Sequence, residues 1–135
     1  MKKTFIDSGV LITAARGDEA NPKTLRAWNI LDDESRYFFS TIYVQMEVIP
    51  KAMYHKNQDE VDFYNGYFAN VHEWINCDDN LLQLAFQIAS DYGLSCIDAL
   101  HITAASLAGI DEFITTEKNT KSIHRATFIN IISIS

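Results

Sequence analysis

The chain has no lysine or arginine between positions 57 and 117, although eleven acidic residues fall in that stretch. All eleven basic residues therefore lie in residues 1–56 or 118–135, and the formal net charge is −7. This balance argues against a protein that binds nucleic acid over a broad surface, because such binding depends on neutralising phosphates. The acidic middle is interpreted as a solvated face, with contact to a basic partner as the alternative.

Cysteine and long apolar runs are also scarce. Cys77 and Cys96 are too few, and too far apart in sequence, for a zinc cluster or a disulfide framework, so they are interpreted as reduced thiols of a cytoplasmic protein. No apolar run has the length of a membrane span, and Asp7 and Arg16 interrupt the apolar stretch near the N-terminus. We therefore expect no membrane contact and no secretory signal. Without repeats or a linker, residues 1–135 are expected to form one domain.

Strand and helix patterns largely alternate, which predicts an α/β domain with three layers, α/β/α, around a mostly parallel central sheet. Strands are predicted at 3–7, 37–40, 72–75, 112–115 and 126–134, and helices at about 9–16, 22–33, 41–55, 59–70, 79–92, 95–108 and 119–122. Ser8 is predicted to cap the first helix, and Pro50 to kink or divide the third. Ligands of such sheets bind beyond the carboxyl ends of the strands, so a functional site is expected there.

Four acidic residues occupy positions where an isolated carboxylate is costly. Asp7 follows the first apolar strand, and Glu47 lies in an apolar stretch of the third helix. Asp98 opens an alanine-rich helix, and Glu117 follows the strand at 112–115. Buried carboxylates are usually paired or bound to a cation. If the fold brings the four together, the expected occupant is a hard divalent cation, Mg²⁺ or Mn²⁺, because both prefer oxygen ligands.

Each of these acids also has an ordinary structural interpretation. Asp98 lies three residues after Ser95, a spacing that is typical of a capping box. Asp7 can cap a helix, Glu47 can be a solvated helix residue, and Glu117 can be a loop residue. It is their joint placement that favours a common site.

Four pieces of the sequence occur in a familiar order. They are FIDSGVLI at 5–12, Glu47 within its helix, IDALHITAA at 97–105 and FITTE at 113–117. Together they resemble the PIN-domain ribonucleases, and in particular the VapC-type toxins of bacterial toxin–antitoxin pairs. The resemblance covers nearly the whole chain and implies a small α/β/α domain.

The resemblance further implies a Mg²⁺- or Mn²⁺-dependent endoribonuclease with RNA as its substrate. The catalytic and metal-binding acids would be Asp7, Glu47, Asp98 and Glu117. Ser8 and Thr115 match family positions whose hydroxyls hold these acids or the metal-bound water. The fourth acid of the family is usually aspartate, so Glu117 is a departure, and its extra methylene is expected to loosen or reposition a second metal. A cognate antitoxin and a homodimer are also implied.

The chemistry accounts for this set of residues. Hard cations neutralise the charge of a phosphodiester, help to deprotonate a water molecule and stabilise the leaving oxygen. Without a metal, clustered carboxylates repel each other, so we expect raised pKa values in the apo-protein and a fold that metal stabilises.

Other polar and aromatic residues allow more than one interpretation. Candidates for substrate binding are Arg16, Lys118, Lys121 and Arg125. The last three can equally form an exposed basic loop, and Arg16 can instead pair with a carboxylate. His101 is interpreted as a histidine that packs its helix rather than as a ligand. The aromatic residues at 63–68, with Trp74, are interpreted as core, with a groove for a partner helix as the alternative.

Two other functions are considered. A non-catalytic PIN-like module would bind RNA or protein through a domain whose metal site Glu117 has weakened. A signalling receiver or a phosphatase on a related scaffold is disfavoured. A receiver needs paired acids after its first strand, where Asp7 is followed by Ser8, and a phosphotransfer hydrolase needs an acid where Gly9 stands.

Overall fold

Strands and helices alternate along the chain in the computed structural model, which describes residues 1–135. The elements are β1 (Lys2–Ile6), α1 (Ser8–Arg16), α2 (Pro22–Leu31), β2 (Arg36–Ser40), α3 (Ile42–Tyr54), α4 (Gln58–Ala69), β3 (Glu73–Trp74), α5 (Asp79–Tyr92), α6 (Cys96–Leu107), β4 (Glu112–Thr115), a 3₁₀ turn (Ser122–Arg125) and β5 (Ile131–Ser133). None of the helices combines the length and the apolar character needed to cross a membrane.

All five strands run parallel in one sheet with the order β3-β2-β1-β4-β5. The central strand β1 pairs Phe5 with Phe39 of β2 and Ile6 with Ile114 of β4. Among the helices, α1 packs against α2, α3 and α4, α5 packs against α6, and α3 also contacts α6. The predicted α/β/α architecture with a parallel sheet is confirmed.

Side-chain caps define where most helices begin. The N-cap residues whose side chains accept a first-turn amide are Asp7, Asn21, Thr41, Asn57, Asp78 and Ser95. The prediction that Ser8 caps α1 was wrong: the helix starts one residue earlier, and the Asp7 carboxylate accepts from the Ser8 amide. Pro50 lies inside α3, which continues as one helix to Tyr54, so the proline does not divide it.

The C-terminal region departs most from the prediction. The strand expected at 126–134 is limited to β5, because the preceding residues form a turn in which the Ile129 amide donates to the Ala126 carbonyl. The short helix expected at 119–122 lies instead at Ser122–Arg125 and is of the 3₁₀ type. In spite of both differences, β5 pairs in parallel with β4 at one edge of the sheet.

The core lies on both faces of the sheet. Phe5 and Phe113 stack with ring centroids 5.2 Å apart and belong to the same buried cluster as Tyr64 and Phe68. Trp74, at the end of the edge strand β3, keeps 43% of its surface exposed. The aromatic group at 63–68 is therefore largely core, as predicted, and Trp74 lies at its margin.

Candidate metal centre and active site

The first acid is held where β1 and β4 end side by side. The Asp7 amide donates to the Ile114 carbonyl at 2.9 Å, which extends the β1–β4 pairing by one residue. One carboxylate oxygen of Asp7 accepts from the Thr115 hydroxyl at 2.8 Å, and the other accepts from the Ser8 amide at 2.9 Å. Asp7 is only 7% exposed. The predicted meeting of the two strand ends is therefore present, and Thr115 holds Asp7 in place.

Gly9 permits the first turn of α1 to lie close to Thr116, at the end of β4. A β-carbon added at Gly9 would lie 2.3 Å from the Thr116 hydroxyl oxygen, far inside normal contact distance. The first turn of α1 therefore presses against the end of β4 at a place where any side chain would collide.

The second acid meets an unexpected partner. Thr41 caps α3, and Glu47 follows within that helix with a side chain that is 29% exposed. Its Oε1 atom lies 2.5 Å from Nε2 of His101, on α6, whose side chain is 1% exposed. Asp7, Glu47 and His101 each offer a potential ligand atom, and the three atoms lie within 4.8 Å of one another. We call these three side chains the compact group.

The third acid lies at the N-terminal turn of α6. The Asp98 amide donates to the Ser95 hydroxyl at 3.3 Å, so the capping interpretation is correct for the backbone. Partial burial raises the pKa of Asp98, and the charges of Glu117 and Glu47 raise it further, against the opposing effects of Ser95 and His101. Asp98 lies outside the compact group and is coupled to it through charge.

Burial and neighbouring carboxylates also raise the pKa of Asp7. Burial raises the pKa of Asp7 above its ordinary value of 3.8, and the charges of Asp98 and Glu47 add to the effect. His101 and the hydrogen bond from Thr115 oppose the shift without cancelling it. Removal from water is therefore the main reason that the charged form of Asp7 is disfavoured, the neighbouring carboxylates add to it, and a bound cation would offset both.

Glu117 has the loosest position of the four acids. Its side chain is exposed, while its amide donates to the Thr115 hydroxyl at 3.1 Å and its carbonyl contacts the His124 ring at 2.9 Å. Its charge acts on Asp98, although it lies outside the compact group. Thr115 thus links Asp7 to the backbone of Glu117.

The predicted basic residues are distributed unequally. Lys118 and Lys121 are exposed in the loop that follows Glu117. Arg125 donates to the Tyr92 and Gly93 carbonyls at 3.4 and 3.3 Å, where α5 ends. Arg16 lies at the far end of α1, about 12 Å along the helix from its start.

Arg16 is engaged by a buried acid instead of the site. Its Nε donates to Glu60 Oε1 at 2.9 Å, and the same oxygen accepts from the Tyr64 hydroxyl at 2.5 Å. Asn57 donates to the other Glu60 oxygen. The structure therefore does not bring Arg16 together with the four acids.

The donor set fits a hard divalent cation. Asp7 and Glu47 contribute carboxylate oxygens that lie within 4.8 Å of each other and of a His101 ring nitrogen, and Asp98 lies outside this group in the first turn of α6. His101 is the residue whose association with the site the sequence interpretation missed. The sequence did contain a signal for it, a polar ring one turn after Asp98 on an otherwise apolar helix face. A buried imidazole needs a hydrogen-bond partner.

Comparisons with known proteins identify the family and the fold. The family model described as the PIN domain matches residues 4–126. No curated protein sequence matches the chain.

Solved structures with the same fold include a toxin–antitoxin complex from Klebsiella pneumoniae, 18% identical with a TM-score of 0.72, in which the match covers 98% of each chain. A DNA-bound VapBC complex from Salmonella typhimurium is 16% identical with a TM-score of 0.73 and full coverage of both chains. VapBC2 from Rickettsia felis, bound to a fragment of its promoter DNA, is 8% identical with a TM-score of 0.73, covering 97% of this chain and 98% of that one. Because the family model spans most of its length, the chain belongs to the PIN domain family.

Proposed function

We propose that this protein is a Mg²⁺- or Mn²⁺-dependent endoribonuclease that hydrolyses RNA phosphodiester bonds, and that it is the toxin of a cytoplasmic toxin–antitoxin pair. The observation that carries the proposal is the buried Asp7 carboxylate, whose pKa is raised beside Glu47 and Asp98 at the carboxyl edge of the sheet. An uncompensated buried charge is costly unless a cation binds there.

The residues have separate roles in this proposal. Asp7, Glu47 and Asp98 hold the cation, and Thr115 and the Ser8 amide orient Asp7. A divalent cation bound there supplies Lewis acidity for phosphodiester hydrolysis. The buried position of Asp7 keeps its ligand oxygens in a fixed geometry, which favours a reaction that depends on alignment.

The lysines near Glu117 complete the site in this proposal. Lys118 and Lys121 are exposed in the loop that follows Glu117, and lysines make contacts to RNA phosphates that do not depend on base sequence. Glu117 itself is exposed beside them and acts on Asp98 by charge. We assign it a supporting role at the rim.

An antitoxin partner is proposed from two independent observations. The related structures are toxin–antitoxin or VapBC complexes. The chain itself carries a net charge of −7 and eleven acids in a stretch that has no basic residue, which suits a partner with a basic segment. We also propose a homodimer, on the basis of the resemblance to VapC-type toxins. Light scattering on the chain alone, and on the chain mixed with the product of the adjacent reading frame, tests both assemblies.

One alternative is supported by a specific observation. Glu117 is exposed and lies outside the compact group formed by Asp7, Glu47 and His101. A module with such a weakened site would bind RNA or protein without cleaving it. Cleavage assays decide between the two functions.

The decisive assay incubates the protein with transfer RNA and ribosomal RNA, with Mn²⁺ or with EDTA. The nuclease proposal predicts fragments that require metal and that disappear in Asp7→Asn and Asp98→Asn. Asp91→Asn is the matched control, because it removes one charge from an exposed site on α5 and should leave cleavage unchanged. RNA binding that persists in EDTA, with no cleavage under any condition, would favour the non-catalytic module.

A further inference from the structure

His101 is almost fully buried and has one polar contact. Its Nε2 atom lies 2.5 Å from Oε1 of Glu47, a contact that joins α6 to α3. Its Nδ1 atom is buried and has no hydrogen-bond partner. The ring packs near Phe5, with centroids 5.8 Å apart. A leucine would fill the same space without the cost of an unpartnered nitrogen, so the contact with Glu47 is what the imidazole contributes.

The position of the ring bears on whether it is itself a ligand. One nitrogen faces the Glu47 carboxylate at hydrogen-bonding distance, and the other faces the core. Direct coordination of a cation would require the ring to give up its contact with Glu47. Donation of the Nε2 proton requires no movement.

Glutamate needs such support more than aspartate does. Glu47 has three rotatable side-chain bonds and is 29% exposed, so an unheld carboxylate would sample several positions. Asp7, by contrast, is held at both oxygens by Thr115 and by the Ser8 amide. Ordering the ligands before the cation arrives removes an entropic cost from binding.

We propose that His101 is a positioning residue: it donates from Nε2 to Oε1 of Glu47 and holds that carboxylate beside Asp7, with Oε2 left as the ligand atom. The inference rests on the proposed metal site and adds a residue to it. In this arrangement His101 contacts the ligand Glu47 and not the metal itself, and such outer-shell contacts commonly affect metal affinity.

The test is a titration of Mn²⁺ into the metal-free full-length protein, with free Mn²⁺ measured by electron paramagnetic resonance. His101→Gln carries an amide donor that ends close to the position of Nε2, and its affinity should stay within about threefold of wild type. His101→Leu fills the space without a donor and should weaken Mn²⁺ binding by about tenfold or more. Circular dichroism checks that each variant is folded. If His101→Leu fails to fold, His101→Asn replaces it, because its amide ends too short to reach Glu47.

A double-mutant cycle separates positioning from other roles. In a Glu47→Gln background, His101→Leu should cause little further loss of Mn²⁺ affinity, because the carboxylate that it positions is already gone. Equal losses in His101→Gln and His101→Leu, together with a full additional loss in the Glu47→Gln background, would identify the ring as a direct ligand and overturn the inference.

The remaining outcomes are also distinct. Wild-type affinity in a folded His101→Leu protein would overturn the positioning role while leaving the metal site intact. A wild-type protein that binds no Mn²⁺ would overturn the proposed function, and the inference with it.

Discussion

The contact between Gly9 and Thr116 gives a prediction with two opposing contributions. Alanine at position 9 would favour the helix by at most about 1 kcal/mol. Its β-carbon would also lie 2.3 Å from the Thr116 hydroxyl oxygen. Overpacking of this kind costs about 1–3 kcal/mol, and here it falls between the two elements that hold Asp7. We therefore expect Gly9→Ala to lower the free energy of unfolding by about 1–2 kcal/mol.

A matched substitution in the same protein isolates the steric contribution. Gly66 lies in α4, and a β-carbon there would meet no atom within 4 Å. Gly66→Ala should therefore raise the free energy of unfolding by about 0.5–1 kcal/mol. Urea denaturation in EDTA measures both variants, and the free energies of unfolding of the pair should differ by about 1.5–3 kcal/mol.

Removing the Thr116 hydroxyl should restore the free energy of unfolding that Gly9→Ala loses. Without its hydroxyl, the nearest remaining atom of residue 116 would be Cβ, at 3.5 Å from an alanine β-carbon at position 9. Gly9→Ala combined with Thr116→Ala should therefore recover most of the lost stability. A Gly9→Ala protein as stable as Gly66→Ala, or a double variant no better than Gly9→Ala alone, would refute the close contact.

Three further predictions follow from the site and its surroundings. Burial raises the folded-state pKa of Asp7 above 3.8, so the metal-free fold loses stability as the pH rises from about 3.8 through that raised pKa. In EDTA, Asp7→Asn should therefore be more stable than wild type at pH 7.5, and the difference should vanish towards pH 4. Equal pH profiles of the two proteins in urea denaturation would contradict this. Arg16→Gln should lower the free energy of unfolding by about 1 kcal/mol, because Glu60 is buried while Arg16 is half-exposed. RNA cleavage by the folded variant should be unchanged. A selective loss of cleavage would instead place Arg16 at the active site. Replacing Lys118 or Lys121 by Gln should lower the slope of log affinity against log salt concentration for single-stranded RNA by about 0.7 each, and an unchanged slope would place RNA elsewhere.

The sequence identified the parts of the site that depend on local pattern. Asp7 follows an apolar strand and Asp98 opens a helix, and parallel strand order then brings strand ends to one edge. Thr115 was named from the family resemblance, as the threonine two residues before Glu117, and its hydroxyl donates to Asp7. The positions of these residues were predictable because each is placed by the element that it follows or opens, and their roles at a metal site stay a prediction.

The contact between Glu47 and His101 could not be read in the same way. The two residues are 54 positions apart, and their approach depends on how α3 packs against α6. Arg16 likewise had two possible partners in the sequence, and only the packing of α1 against α4 selects Glu60. Tertiary packing therefore decided what local spacing left open.

The C-terminal strand shows the limit of periodicity. Residues 126–134 are rich in isoleucine and resemble a continuous strand, but hydrogen bonds in the preceding turn leave only Ile131–Ser133 in the sheet. A backbone satisfied by a turn is not available to a strand.

The central claim is that Asp7, Glu47 and Asp98 share a divalent cation. Anomalous diffraction from crystals soaked in MnCl₂ tests it most directly. We expect a manganese peak within about 2.0–2.3 Å of carboxylate oxygens of Asp7, Glu47 and Asp98, and no such peak in Asp7→Asn crystals. A well-ordered site without a peak, or with manganese bound only to acids outside this cluster, would contradict it.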